Sequence, residues 1–277
     1  MRHITSRHHP LVGDCRALAR GPGRGSPRLL LDGPHLVEEA LAAGLAIEAV
    51  LLGEAFAASA EGGRLARALA AAGVEVLTAS AAVLDAASPV STPSGIVAIA
   101  ARPATPLARA LEGPRPLAVI AVDVQDPGNV GAIVRAAEAG GATGAIFCGA
   151  SADPLGWKSL RGSMGSALRL PLAHGLPWRD AVAAAKTAGL RVAAAAARAG
   201  VPMHAADFCR PTALLLGGEG PGLPPEAVAA ADEAVAIPMA PRVESLNVAV
   251  AAALLVYEAR RQRQAAAGPP PACGRAR

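Results

Sequence analysis

The 277-residue sequence contains few aromatic side chains: three phenylalanines, two tryptophans and one tyrosine. RNA-binding modules that stack bases on aromatic platforms need several such side chains on one surface, so their scarcity argues against those modules. Any contact with nucleic acid must then depend on charge and on backbone groups.

Neither the cysteines nor the histidines indicate a metal site. Cys15, Cys148, Cys209 and Cys273 form no Cys-x-x-Cys pair, and the six histidines show no metal-ligand spacing, so we expect neither a metal nor a disulfide framework. No apolar run reaches the roughly 18 residues of a membrane span, and no apolar segment follows the charged start as in a secretory signal. These absences predict a cytoplasmic protein without a membrane partner.

The basic residues are concentrated at the two ends of the chain. Residues 1–28 contain six arginines and one aspartate, and residues 259–277 contain five arginines and no acidic residue, although the net charge is only +4. Basic ends favour contact with a phosphate backbone. The alternative is a solvated arm and a frayed tail.

The hydrophobic pattern predicts two α/β domains, each able to bury a core because 52% of the residues are hydrophobic. Short strands alternate with helices from Arg28 to Pro103, which predicts a small α/β domain over residues 1–103. The proline-rich residues 104–116 predict a linker around one short helix. The apolar run LAVIAVDV begins a second α/β domain with a mainly parallel sheet over 117–263, and residues 264–277 are predicted to be a disordered tail. Within the second domain we predict a strand at LRLPLA, residues 168–173, and helices over 129–139, 156–165, 178–188, 225–231 and 246–263.

Polar side chains follow three predicted strands of the second domain, where parallel α/β sheets bind their ligands. The first loop leads into a helix that carries Asn129, the expected cap, and Arg135, which is either an ion-pair partner of Glu138 or a fixed cation at a site. The third loop carries Ser245 and Asn247, which either cap the last helix or act in a site.

The second loop, Gly217 to Leu223, carries Glu219 and is either a tight turn or a ligand loop. A dinucleotide fingerprint beginning at Gly218 needs glycine at position 223, where leucine stands, and Glu219 would repel a pyrophosphate. The loop suits a ligand with hydroxyls, amines or positive charge better than a phosphate.

Three segments, DPGNVGAIVRAAEAGGA, LLLGGEGPGLP and IPMAPRVESLNVAVAAALLVYE, resemble the motifs of the SpoU (TrmH-like) RNA ribose 2′-O-methyltransferases of the SPOUT superfamily, over residues 117–263. The segment from Asp153 to Ser166 also resembles this family, and the amino-terminal part is similar to the small substrate-binding domain of many ribosomal-RNA members. The resemblance implies S-adenosylmethionine-dependent methylation of a ribose 2′-hydroxyl in RNA, with ribosomal RNA favoured over tRNA. It also implies a trefoil-knotted catalytic domain and a homodimer.

The resemblance assigns roles by motif position. It implies that Gly217, Gly218, Ile237, Leu246 and Asn247 hold the cofactor, largely through backbone groups. Arg135 falls at the position that acts on the 2′-hydroxyl; since guanidinium stays protonated, it would stabilise the developing alkoxide rather than accept a proton. The remaining catalytic candidates, which would position ribose, phosphate and cofactor, are Asn129, Glu219, Ser245 and Asn247.

Two alternatives belong to other classes. A noncatalytic RNA-binding protein of the same fold is opposed by the presence of all five polar candidates. A dinucleotide-dependent oxidoreductase is opposed by the failed glycine spacing. A tRNA ribose 2′-O-methyltransferase remains open as the alternative within the same family.

Overall fold

The computed structural model describes residues 1–21, 26–197 and 200–266. The strands are β1 (Arg2–Ile4), β2 (Arg28–Asp32), β3 (Ile47–Gly53), β4 (Glu75–Ala79), β5 (Ile96–Ala101), β6 (Leu117–Val122), β7 (Gly144–Cys148), β8 (Leu172–Leu176), β9 (Arg191–Ala196), β10 (Val201–Pro202), β11 (Thr212–Gly217) and β12 (Glu233–Ala236). The helices are α1 (Pro10–Ala19), α2 (Pro34–Ala42), α3 (Glu54–Ala57), α4 (Ala60–Ala71), α5 (Ala81–Ala87), α6 (Leu107–Leu111), α7 (Pro127–Gly140), α8 (Trp157–Ser163), α9 (Trp178–Thr187), α10 (Pro225–Ala230) and α11 (Val248–Ala266).

The chain forms two compact units. The first comprises Met1–Ala104 and Asp153–Arg169, and the second comprises Thr105–Ala152 and the residues from Leu170 onward. Of the sequence predictions, Arg24 and residues 267–277 of the predicted tail lie outside the described residues.

The first unit contains a five-stranded mixed sheet in the order β1-β4-β3-β5-β2. Strands β1, β4 and β3 run parallel, whereas β5 pairs antiparallel with both β3 and β2. Helix α1 packs its buried Val12, Cys15 and Leu18 against this sheet and α5. The first twenty residues therefore belong to the fold, and a solvated arm is the wrong description of them. Their periodicity is hidden because arginine and histidine interrupt a strand of only three residues.

A segment from the second half of the sequence completes the first unit. Residues 153–169 include α8, which packs beside β2, the edge strand of the sheet. Trp157 Nε1 donates a hydrogen bond to Ala19 O at 2.9 Å, and Arg102 forms an ion pair with Asp153. These contacts tie the segment to the first unit. The predicted boundary at residue 117 placed this whole segment in the second domain.

The second unit contains a seven-stranded, wholly parallel sheet in the order β10-β12-β9-β11-β6-β7-β8. Strand β6 is buried along its full length, as its continuous apolar sequence predicts. One face buries Ile120, Leu215 and neighbouring side chains against α9, and α11 packs with α7 and β11. The predicted α/β class with a mainly parallel sheet is confirmed.

Several element boundaries differ from the predictions. The strand predicted at 168–173 begins instead at Leu172, because Leu168 lies in a 3-10 turn over Ser166–Leu168. Strand β10, only two residues long, was not predicted. The short helix expected in the linker is α6, whose Ala110 and Leu111 are buried in the second unit. No helix among the described residues is long and apolar enough to cross a membrane.

Helix α11 continues to Ala266, three residues into the predicted tail. Arg263 holds this end: its guanidinium donates to the carbonyls of Phe208, Arg115 and Arg210 at 2.9 Å each, and to Pro116 O at 3.1 Å. Burial lowers the pKa of Arg263. This basic residue of the carboxyl-terminal cluster is therefore committed to the fold rather than to a ligand.

Candidate active site

The polar loops meet because all seven strands run parallel, so their carboxyl ends share one edge of the sheet. Asn129 Nδ2 donates a hydrogen bond to Glu219 Oε1, and Asn247 Nδ2 donates to Asn129 Oδ1 at 2.9 Å. The backbone N–H of Gln125 also donates to Glu219 Oε2 at 3.4 Å. Three of the five predicted catalytic residues, one from each loop, thus form a single hydrogen-bonded group.

Asn247 both caps α11 and belongs to the hydrogen-bonded polar group. Its Oδ1 accepts hydrogen bonds from the backbone N–H groups of Ala249 at 2.9 Å and Val250 at 3.3 Å, so it caps α11. Since the helix occupies the oxygen, the amide nitrogen points toward Asn129. The cap therefore fixes the orientation of a side chain in the polar group.

Asn129 does not cap α7, contrary to the prediction. Asp126 is the cap: its Oδ1 accepts the backbone N–H of Asn129 at 2.8 Å. Pro127 occupies the first helical position, which makes the residue before it, Asp126, the cap. The Asn129 side chain is left to bind Glu219 and Asn247 instead.

Ser245 and Arg135 stand outside this hydrogen-bonded group. Ser245 is exposed and makes no hydrogen bond with any described residue, so it does not cap α11. Arg135 is exposed on α7, and none of the ion pairs between described residues includes it, with Glu138 or with any other carboxylate. It lies six residues beyond Asn129, about 9 Å along the helix axis. The ion-pair alternative for Arg135 and the capping alternative for Ser245 are both wrong.

A cavity of about 540 Å³ opens beside the polar group. Its wall is formed by the carboxyl end of β9, the loop after β11, and the segment between β12 and α11. It includes every residue predicted to hold the cofactor, namely Gly217, Gly218, Ile237, Leu246 and Asn247, together with Glu219 and Ser245. The lining combines backbone groups with small apolar side chains.

Two glycines of this wall are required by close packing. A Cβ on Gly217 would lie 2.2 Å from the carbonyl carbon of Gly222, and a Cβ on Gly218 would lie 2.1 Å from Asp123 O. Gly218 and Gly222 also form an antiparallel bridge that closes the loop. Any side chain at position 217 or 218 would displace backbone, so the loop needs glycine there.

Several residues around the site were not predicted from the sequence. Asp123 has a left-handed φ of 56°, and its Oδ1 accepts the backbone N–H of Ala150 at 2.7 Å. Together with Gln125, Asp126 and Glu219 it lines a second cavity of about 600 Å³. Its position directly after a buried strand was a usable signal. Met239 and Ala195–Ala197, which also line the first cavity, carry no chemical signal in the sequence.

Neither a metal nor a reactive thiol is evident here. Among the described residues, no group of three or more His, Cys, Asp or Glu side chains could hold a metal ion. Burial raises the pKa of the Cys148 thiol, at the end of β7, to about 12. The described residues therefore provide a hydrogen-bonded polar group beside a cavity whose wall includes backbone groups.

Fold and site together define a parallel α/β protein with a cavity at the strand ends, formed by the end of β9, the loop after β11 and the segment between β12 and α11. Residues 116–257 match the model of the SpoU rRNA Methylase family, and residues 23–98 match that of the MRM3-like substrate binding domain. The chain belongs to the SpoU family of RNA methyltransferases.

Two known proteins are similar over nearly the whole chain, and a third is similar over part of it. An uncharacterized tRNA/rRNA methyltransferase of Synechocystis is 36% identical over 96% of each chain. The crystal structure of an AdoMet-bound rRNA methyltransferase from Sinorhizobium meliloti superposes with a TM-score of 0.83 and 31% identity, covering 94% of this chain and 97% of that one. The tRNA (guanosine(18)-2′-O)-methyltransferase of Escherichia coli is 46% identical over 86 residues, which are 31% of this chain and 38% of that protein.

Proposed function

We propose that this protein transfers a methyl group from S-adenosylmethionine to a ribose 2′-hydroxyl of RNA, and that the RNA is ribosomal. The observation that carries the proposal is the Asn129–Glu219–Asn247 group at the rim of the glycine-walled cavity. A noncatalytic RNA-binding protein would have no need for three loops joined by their side chains beside a cavity.

The cavity suits S-adenosylmethionine in size and in chemistry. Ligand pockets of roughly 300–1,000 Å³ enclose molecules of this class, and this cavity measures about 540 Å³. Gly217, Gly218, Ile237, Leu246 and Asn247 would hold the cofactor through backbone groups and apolar contact, and Glu219 supplies a carboxylate suited to a cationic ligand. When bound, the cofactor supplies a methyl group on a sulfonium centre. The trefoil knot implied by the family resemblance belongs to this proposal.

Arg135 is proposed to act on the attacking hydroxyl. Its guanidinium is exposed and has no carboxylate partner among the described residues, so its charge is not already neutralised. Guanidinium remains protonated in proteins, so it cannot accept the hydroxyl proton. A cation near the ribose oxygen instead stabilises the negative charge that develops as the hydroxyl proton passes to water, as an oxyanion hole does.

The hydrogen-bonded asparagines are proposed to position the ribose and its phosphate. Glu219 takes one N–H of Asn129, and Asn247 occupies the Asn129 oxygen, so both amides have fixed orientations. Each amide group carries two donors, which leaves one N–H of Asn129 and one of Asn247 for a substrate oxygen. Ser245, with an exposed hydroxyl on the same cavity wall, adds a third polar contact.

We favour ribosomal RNA over tRNA as the substrate because the similarity to an rRNA methyltransferase covers more of this chain than the similarity to a tRNA methyltransferase. The Sinorhizobium protein, named an rRNA methyltransferase, matches both units, whereas the similarity to the Escherichia coli tRNA enzyme covers 31% of this chain. The first unit, which matches a substrate-binding domain, would then select the RNA. A cytoplasmic location of the reaction belongs to the same proposal.

A homodimer is proposed through α11. Val250, Leu254 and Tyr257 are 48%, 38% and 50% exposed and lie at i, i+4 and i+7, on one face of the helix. The opposite face buries Val248, Ala252 and Val256 within the second unit. A second copy of this chain would cover the exposed apolar face with its own.

The substrate preference is tested with methyl-labelled S-adenosylmethionine. The full chain is incubated in parallel with ribosomal RNA and with tRNA, both lacking prior modification, and labelled nucleotides are mapped. The proposal predicts label at a defined position in ribosomal RNA. Label confined to tRNA would reverse the substrate assignment, and RNA binding without transfer to either would favour the noncatalytic alternative.

A further inference from the structure

Arg161, on α8, differs from most arginines of the first unit in how its guanidinium is held. Arg2, Arg28 and Arg64 donate hydrogen bonds to carboxylates, and Arg7 and Arg16 donate to backbone carbonyls. Arg161 instead faces Asp32, with Nη1 and Oδ2 3.7 Å apart, beyond hydrogen-bonding distance. All five of its N–H donors therefore lack an acceptor among the described residues.

Asp32 is suited to hold this cation in place. Its side chain is 1% exposed, whereas that of Arg161 is 45% exposed. Ser88 Oγ donates to Asp32 Oδ1 at 2.8 Å, which fixes the carboxylate, but Oδ2 has no hydrogen-bond partner. Burial raises the pKa of Asp32, while Ser88 and Arg161 act in the opposite direction. A buried charge without a cation beside it would be costly, so Asp32 restrains Arg161.

A second cation lies on the same side of α8. Lys158 precedes Arg161 by three residues, so the two side chains are neighbours on the helix surface. Lys158 is exposed, and its Nζ lies 5.4 Å from the centre of the Trp157 ring. Trp157 is itself fixed by its hydrogen bond to Ala19 O. Both cations are therefore presented from anchored parts of the first unit.

We propose that Lys158 and the Asp32-restrained Arg161 form a phosphate-contact surface for RNA on the first unit. This inference rests on the proposed RNA substrate. Arginine binds phosphate through parallel N–H groups, and the unused donors of Arg161 supply them. Both residues lie outside residues 23–98, the part that matches the substrate-binding domain model, so the segment 153–169 would add RNA contacts to that domain.

The first test measures RNA affinity of the full chain without cofactor, using protein-free ribosomal RNA as the probe over a range of salt concentrations. Arg161→Gln is expected to weaken binding about tenfold and to reduce the slope of log affinity against log salt by about one. Arg161→Lys should restore part of the affinity. The matched control is Arg67→Gln, which removes an exposed arginine with no partner among the described residues of the same unit. If Arg161→Gln and Arg67→Gln weakened RNA binding equally, the effect would be one of net charge alone, and the proposal would be overturned.

Asp32→Asn separates positioning from charge by the sign of its effect. The substitution makes the protein more positive by one, so a general electrostatic account predicts tighter or equal RNA binding. The positioning account predicts weaker binding, because the guanidinium loses the group that holds it. Thermal unfolding and S-adenosylmethionine binding report whether the variant folds; if it does not, the Arg161→Gln, Arg161→Lys and Arg67→Gln comparison decides.

The outcomes separate this inference from the proposed function. If the parent chain binds RNA but transfers no methyl group, the proposed function fails while the phosphate surface can still be confirmed. If the parent chain methylates RNA and Arg161→Gln binds as tightly as the parent, the surface is overturned and the function stands. A parent chain that does not bind ribosomal RNA overturns both.

Discussion

Asn247 is the residue at which helix capping and chemistry can be separated by substitution. Its oxygen accepts two backbone N–H groups of α11, and its nitrogen donates to Asn129. Asn247→Ala removes both interactions. Asn247→Asp keeps a good capping oxygen, placed favourably at a helix N-terminus, but removes the donor to Asn129.

The two variants have different expected stabilities. Loss of an N-cap costs about 1 kcal/mol, which corresponds to a fall in melting temperature of about 2–4 °C for a domain of 150–250 residues. Asn247→Ala should show this fall, whereas Asn247→Asp should melt within about 1 °C of the parent because the cap is retained. Ser245→Ala should also melt like the parent, since the Ser245 side chain makes no hydrogen bond among the described residues.

Methyl-transfer activity should depend on the hydrogen bond that Asn247 donates to Asn129 and not on the helix cap. A stability loss of about 1 kcal/mol leaves a protein with 5–15 kcal/mol of stability almost fully folded at assay temperature. Both Asn247 variants should therefore lose methyl transfer in folded protein, measured as turnover at saturating cofactor and RNA alongside a thermal melt. If Asn247→Asp kept the parent turnover, or if Asn247→Ala lost only what its unfolded fraction explains, Asn247 would be a structural cap alone.

Three further perturbations test other parts of the site. Arg135→Ala should lower turnover by about 10²–10³ with cofactor affinity nearly unchanged, measured by single-turnover kinetics and calorimetry; near-parent turnover would refute its role. Gly218→Ala should weaken cofactor binding and cost about 1–3 kcal/mol in denaturant unfolding, since its Cβ would lie 2.1 Å from Asp123 O; parent-like binding would show that the loop relaxes. Leu254→Glu should convert a dimer to a monomer in sedimentation, with substitution of the exposed α10 residue Glu226 by glutamine (Glu226→Gln) as a surface control; a dimer that survives would place the interface elsewhere.

The site could be located from sequence because of one geometric rule. Parallel strands end at a common edge, so polar residues after three strands were expected to converge, and Asn129, Glu219 and Asn247 do. The sequence does not decide which of two neighbouring residues caps α7. Asp126 rather than Asn129 caps α7, although both residue types are good caps.

The features that could not be predicted from the sequence depend mostly on contacts between residues far apart in the chain. The segment 153–169 joins the first unit through contacts with residues more than a hundred positions away, such as Trp157 with Ala19. The extension of α11 depends on Arg263 binding carbonyls about fifty and about 150 residues earlier in the chain. No local pattern encodes either contact, because each partner is a backbone carbonyl, which every residue possesses.

Methylation of a ribose 2′-oxygen is the chemical outcome that distinguishes the proposed function from methylation of a base. The most direct measurement is to label ribosomal RNA with the full chain and methyl-labelled S-adenosylmethionine, hydrolyse it in alkali, and analyse the products by mass spectrometry. A 2′-O-methyl group blocks alkaline cleavage of the adjacent phosphodiester, so the proposed function predicts label in alkali-resistant dinucleotides. Arg135→Ala, assayed in the initial-rate phase at the same enzyme concentration and time, should leave about 10²–10³ less label there. Label recovered on a base in mononucleotides, or equal labelling by Arg135→Ala, would contradict it.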